Sequence, residues 1–216
     1  GLIVQDVGLA SRLQAVAPNL PLHASTQMSI SDADGARFAA ETLGARTVVL
    51  TRELSIDDIA DVTAAVPDAN VEVFVHGHMC VSYNGQCFSS ETGGGRSANR
   101  GQCAQQCRMP YGLMVDGELK EVTAANAIPT RAAAALRPCS FHACACQLLS
   151  CSALPRIGSW CSQLADASKY LLSPQDLCGV DHVPQLLAAG VRTFKIEGRL
   201  KSPEYVYVST LAYRRA

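Results

Sequence analysis

At 216 residues, 48% of them hydrophobic and 17% charged, the chain can bury the core of one large domain or two small ones. A formal net charge of -1 excludes a global attraction to nucleic acid or anionic lipid, so any RNA contact must use a local basic patch. No apolar run reaches the roughly eighteen residues that a membrane helix needs, which predicts no membrane partner.

The chain opens on Gly1-Leu2-Ile3-Val4 without an initiator Met or a basic leader and therefore reads as an interior piece of a longer protein. Leu2 to Gln5 is a short apolar strand ending at Asp6, and Leu9 to Val16 is a helix closed by Pro18. Pro21 to Ala24 is a second strand, and Ser31 or Asp32 starts a helix that Gly44 stops. Thr47 to Leu50 is β-branched and apolar, and Ser55 caps a helix through Ala65 with Asp57 and Asp58 in its first turn. Val71 to Val75 is a strand running into a cysteine-bearing loop, and Asp116-Gly117 marks a hairpin. Tyr170 to Leu172 and Thr193 to Ile196 read as late strands, the first followed by a helix ended by Gly190, and Ser202-Pro203 opens a last helix. Strands at intervals of about 20 to 25 residues, each followed by a helix, predict parallel βα units. They are too few to close an eight-stranded barrel but fit one whose first strands are missing; a doubly wound open sheet is the alternative.

Four cysteines cluster after the Val71 strand, Cys80 and Cys87 before a glycine-rich stretch and Cys103 and Cys107 after it. The spacing leaves three readings open: a zinc site, an iron-sulfur cluster, or reduced thiols packed as small hydrophobes. The chain has ten cysteines, yet its length and core-forming composition make a disulfide framework the weaker reading.

Both α/β architectures place function at the carboxyl ends of the strands, which selects Asp6, His23, Ser25 to Gln27, Arg52, Glu53, His76, Ser173 and Glu197. His76 and His78 lie near Cys80 and would share a face if the strand continues. Lys195 and Arg199 flank Glu197, either as an anion contact or as a rim salt-bridge group, and Glu72, at a strand start, reads as structural. Arg96, Arg100 and Arg108 sit in or beside the Gly93–Gly101 stretch, read as a flexible loop able to approach phosphate. No HExxH or GxSxG is present, so neither zinc nor serine protease chemistry has its signature.

The segment Glu72-Val-Phe-Val-His-Gly-His-Met-Cys80, continued by Val-Ser-Tyr-Asn-Gly-Gln-Cys87-Phe-Ser-Ser90, resembles the signature of the U32 peptidase, or collagenase-like, family. Supporting stretches are Leu22 to Gln27, Gly95 to Cys103, Tyr170 to Pro174 and Phe194 to Arg199. The resemblance covers Gly1 to about Glu121 and about Lys169 to Ala216, and is strongest to the branch that hydroxylates a cytidine in large-subunit ribosomal RNA.

It implies an α/β fold, an incomplete TIM-like barrel over residues 1–121 and 169–216, and an oxygen-independent RNA hydroxylase forming 5-hydroxycytidine. It further implies a [4Fe-4S] cluster on Cys80, Cys87, Cys103 and Cys107, with Cys178 as the substitute fourth ligand, and prephenate as co-substrate. Asp6, His23, Gln27, His76 and Glu197 are then the candidate catalytic groups, and Arg96, Arg100, Arg108, Lys195 and Arg199 the substrate-binding ones. The expected partners are ribosomal RNA, alternatively tRNA, and an electron-donor or hydroxylase partner protein, in the cytoplasm with an organelle as the alternative. The competing functions are a true peptidase and a noncatalytic cluster-bearing subunit. Residues 122–168 depart from the family pattern, being rich in Ala, Ser, Pro and Cys, and read as a disordered low-complexity insertion whose His142, Cys144 and Cys146 match no standard ligand spacing.

Overall fold

The computed structural model describes residues 1–120 and 170–216, so the insertion predicted at 122–168 and its cysteines lie outside the described residues. The elements in chain order are β1 (Leu2–Val4), α1 (Val7–Val16), β2 (Leu22–Ala24), α2 (Ala33–Arg37), β3 (Ala45–Val49), α3 (Ile56–Ala65), β4 (Asn70–Gly77), α4 (Ser89–Gly94), the hairpin strands β5 (Leu113–Val115) and β6 (Glu118–Lys120), β7 (Leu177–Cys178), α5 (Val183–Ala188), β8 (Thr193–Ile196) and α6 (Pro203–Arg215). Local chemistry accounts for most of the boundaries. Asp6, Asp32, Ser55 and Ser202 each accept a backbone N–H as N-caps, and Ser55 with Asp58 completes a reciprocal capping box. Gly44 and Gly190 take positive φ just past a helix, where a side chain would be strained. After Arg37 the second helix widens into a π turn over Phe38–Thr42 before Gly44 ends it.

Strands β1, β2, β3, β4 and β8 lie side by side in that order and are all parallel. A doubly wound sheet reverses its order at a switch point, and the parallel strands among the described residues show no reversal. Among the described residues the sheet is open, since β1 and β8 are not paired with each other. β7 adds a short antiparallel contact at the end of β4, pairing His76 with Cys178 and Gly77 with Leu177. The strand expected at Tyr170–Leu172 is instead a turn, closed by Ser173 N donating to Tyr170 O at 3.0 Å. Pro174, which has no N–H for a ladder, follows it, and pairing begins only at Leu177.

One face of the sheet carries the main core. Val71, Val73 and Val75 pack with Val48, Leu50, Ala36, Ile59, Val62, Leu186 and Val191, all buried. By strand alternation Glu72 and Phe74 point to the other face, where Glu72 Oε1 meets Lys195 Nζ at 2.9 Å. The register between β4 and β8 shifts between Phe74 and His76, and this irregularity alters the alternation where the functional residues begin. Among the described residues no helix is long and apolar enough to cross a membrane.

Candidate functional site

The carboxyl ends of β2, β3 and β4 meet the Cys80–Cys87 loop, and one buried residue of that loop organises the contact. Asn84 is 3% exposed. Its backbone N and its Nδ2 both donate to Glu53 Oε1, at 3.0 and 3.2 Å, and Nδ2 also lies 3.2 Å from Oε2. Asn84 Oδ1 accepts from Arg52 at 2.8 Å, and its carbonyl accepts from Ser29 Oγ at 2.6 Å. Next to it Gly85 N donates to Gln27 Oε1 at 3.1 Å. The segment after β2 and the pair after β3 thus fix the loop to the strand ends. A cavity of about 300 Å³ lies alongside, lined by Ser29, Ser31, Thr51, Glu53, Tyr83, Asn84 and Gln86.

Cys80, Cys87, Cys103 and Cys107 are all thiols. Cys80 is exposed as a residue, yet neighbouring atoms crowd its sulfur, and desolvation pushes the thiol pKa up; the Arg52 charge opposes this, and Cys107 and Cys103 reinforce it. Cys107 is likewise raised by burial, against the pull of Arg108 and with Cys103 and Cys87 adding to it. The four sulfurs therefore share one electrostatic neighbourhood. Polar groups face three of them: Arg52 donates to Cys80 Sγ at 3.5 Å, Gln105 N donates to Cys103 Sγ at 3.3 Å, and Ser89 Oγ lies 3.0 Å from Cys87 Sγ. Among the described residues no three His, Cys, Asp or Glu side chains converge as ligands of a single ion. A four-iron cluster is larger than an ion, and four thiols, two of them with N–H donors on their sulfurs, are of the donor type it takes. Cys178, the substitute ligand, is buried in β7 opposite His76 rather than in this loop.

The two rim histidines have different partners. His76, 6% exposed, packs between Tyr205 and Tyr213 of α6, with Nδ1 3.3 Å from Tyr213 Oη. Tyr213 Oη donates to Val75 O at 2.6 Å and accepts from Gly179 N at 2.9 Å. His78 instead faces Asp176, its Nε2 3.8 Å from Oδ1, and burial lowers its pKa while Asp176 acts to raise it. Asp176 also meets Arg108 at 3.4 Å and Lys201 Nζ at 2.9 Å. Arg108 further donates to Ser173 Oγ, Pro174 O and Met79 O, so it joins the end of the cysteine segment to residues 173–176.

The structure brings Gln27, His76, Glu197 and Arg52 to the strand ends and leaves other expected residues elsewhere. Asp6 is an exposed helix cap whose Oδ1 accepts from Leu9 N at 2.6 Å. His23 lies within β2, paired with Ile3 and Thr47. Lys195 is bound to Glu72 rather than joined to Glu197, and Glu197 accepts from the backbone N of Arg199, whose side chain is exposed. The Gly93–Gly101 stretch is not a plain flexible loop: α4 ends in it with Gly95 as a left-handed cap, and a helical turn spans Ala98–Arg100. Arg96 and Arg100 are exposed on it, whereas Arg108 is committed to the contacts above. Sequence reasoning missed Asn84, Asp176, Lys201 and Tyr213. For Asn84 the Asn-Gly pair inside the loop signalled only a turn.

The Peptidase family U32 model matches residues 1–216. The chain belongs to that family. This U32 chain is 36% identical over 214 residues to the 23S rRNA 5-hydroxycytidine C2501 synthase of Escherichia coli, covering 99% of the chain and 25% of that protein. It is 32% identical to tRNA hydroxylation protein P of Haemophilus influenzae, covering 100% of the chain and 48% of the relative. It is also 29% identical to a collagenase of Porphyromonas gingivalis, covering 100% and 43%. The chain thus spans a quarter to about half the length of these curated relatives. No solved structure matches it.

Proposed function

We propose that this U32 chain is part of an iron-sulfur-dependent, oxygen-independent RNA hydroxylase that forms 5-hydroxycytidine in large-subunit rRNA. The observation that carries the reading is the grouping of Cys80, Cys87, Cys103 and Cys107 in one electrostatic neighbourhood at the strand ends, in a chain similar to rRNA and tRNA hydroxylation proteins. Those four cysteines would hold a [4Fe-4S] cluster, which when bound supplies the redox chemistry that acid-base side chains lack. The singly wound order of the sheet supports a barrel of the TIM type completed by parts of the protein outside the described residues.

In this reading the chain's own residues position a pyrimidine turned out of its strand toward the rim. Gln27 and Asn84 hold the loop in place, His76 and Glu197 are the proposed acid-base groups, and Arg96 and Arg100 offer exposed guanidinium groups to phosphate. Prephenate is the proposed co-substrate, RNA the partner alongside an electron-donor protein, and the cytoplasm the site of action.

The collagenase relative favours peptidase activity as a second reading. A protease nucleophile needs a base within hydrogen-bond reach. The rim histidines supply none among the described residues: His76 contacts Tyr213 through Nδ1, His78 contacts Asp176 through Nε2, and their other ring nitrogens are buried without a partner.

Iron and acid-labile sulfide analysis of anaerobically purified protein tests the proposal. About four irons per chain and a broad visible absorption are expected, and both should be lost in Cys80→Ser and Cys103→Ser. Stoichiometric zinc in place of iron, or unchanged colour in both variants, would overturn the reading. RNA mass spectrometry in a deletion strain then separates the hydroxylase from a noncatalytic cluster-bearing subunit.

A further inference from the structure

Arg52 is a heavily engaged cation at the strand ends, and its charge is incompletely balanced. Its side chain is 8% exposed, and the guanidinium carbon lies 3.6 Å over the ring centroid of Phe74. Nη1 donates to Asn84 Oδ1 at 2.8 Å and faces Cys80 Sγ at 3.5 Å, while Nη2 is 3.6 Å from Glu197 Oε2. Nε is buried without a partner. A buried cation needs an anion held close. Glu53, its neighbour in sequence, gives both carboxylate oxygens to Asn84. Glu197 stands beyond good hydrogen-bond distance, and its side chain is 22% exposed. Cys80 is the remaining group, and a neutral thiol does little for the guanidinium, whereas a ligand sulfur carrying negative charge would complete its surroundings.

We propose that Arg52 is the charge-assisted N–H donor to the Cys80 sulfur when that sulfur ligates the iron-sulfur cluster, and that it raises the reduction potential of the cluster. The inference rests on the cluster reading above. Phe74 holds the guanidinium plane and Asn84 directs the same nitrogen that faces the sulfur, so the donor is set in place before any metal arrives. A cation and an N–H donor beside a ligand sulfur stabilise the more negative, reduced state. Glu197 is the counterweight, since its carboxylate partly neutralises Arg52. Arg52 is thus a positioning residue acting through Cys80.

The test measures the midpoint potential of the full chain, loaded anaerobically, by EPR-monitored redox titration after iron and sulfide have been quantified. Arg52→Gln is expected to move the potential to more negative values, Arg52→Lys to move it less, and Glu197→Gln to move it the opposite way. If Arg52→Gln does not retain iron, Glu197→Gln decides the matter, because it keeps Arg52 and must show the positive shift. Loaded protein whose potential is unmoved by these substitutions, or a positive shift in Arg52→Gln, overturns the role of Arg52 alone. Iron-free wild-type protein overturns the cluster reading and this inference together.

Discussion

Replacing Asn84 with leucine keeps the side chain close in size and removes its amide. Two charged groups then lose a partner: Arg52, which donates to Oδ1 at 2.8 Å, and Glu53, which accepts from Nδ2 at 3.2 Å. A hydrogen bond to a charged group contributes about 1.5–3 kcal/mol. The Arg52 bond is buried and should be lost in full, while half-buried Glu53 regains some water and keeps its bond from the Asn84 backbone, so the expected cost is about 2–4 kcal/mol. Set against a total stability of about 5–15 kcal/mol, that is a large and measurable fraction.

Urea unfolding followed by circular dichroism reads the global loss, and amide exchange at Gly85, which donates to Gln27, reads release of the loop. Asn84→Asp supplies the control. It keeps an acceptor for Arg52 but sets a carboxylate against Glu53, so it should recover stability as pH falls and the new acid protonates. A cost below about 1 kcal/mol in Asn84→Leu would refute the view that this residue anchors the loop.

Three further outcomes follow from the geometry. Gly77 has φ of +100°, and a Cβ there would come within 2.5 Å of Glu197 O, so Gly77→Ala should cost about 3 kcal/mol in denaturant unfolding; a near-neutral variant would contradict the close approach. Tyr213→Phe should cost only about 1 kcal/mol by thermal melting, because Gly179 N still donates to Val75 O at 2.8 Å when the hydroxyl is gone. Ser55→Ala should destabilise by about 1 kcal/mol through loss of the N-cap. The Asp58 carboxyl is held below its ordinary value by the Ser55 side chain first and the Ser55 backbone second. Its contribution is therefore complete above the ordinary carboxylate pKa and disappears as pH falls through the lower, folded-state value. The acid limb of the melting curve should be weaker in Ser55→Ala, and an unchanged limb would remove Asp58 from the account.

Much of the architecture was written locally. The cap at Ser55, the stop at Gly44, the proline opening α6 and the alternation of Val71, Val73 and Val75 each depend on residues within a turn or two of one another, so the elements could be read directly from the chain. The exception at Tyr170–Leu172 has the same origin, since apolar residues predict a strand only where a neighbour can pair with them, and pairing begins at Leu177. The cysteines, too, announced themselves by type and spacing, and strand-end logic selected Arg52 and Glu53 without naming their partners. Which groups meet was decided only by folding. Asn84 is one polar residue in a turn until Glu53 and Arg52, 31 and 32 positions away, close on it. Asp176 joins His78, Arg108 and Lys201 from three separate segments, and Tyr213 reaches back to Val75 across 138 positions. Sequence encodes such pairings through the topology of the whole sheet and not through any local pattern, because a buried polar group is satisfied by whatever donor or acceptor the packing brings to it.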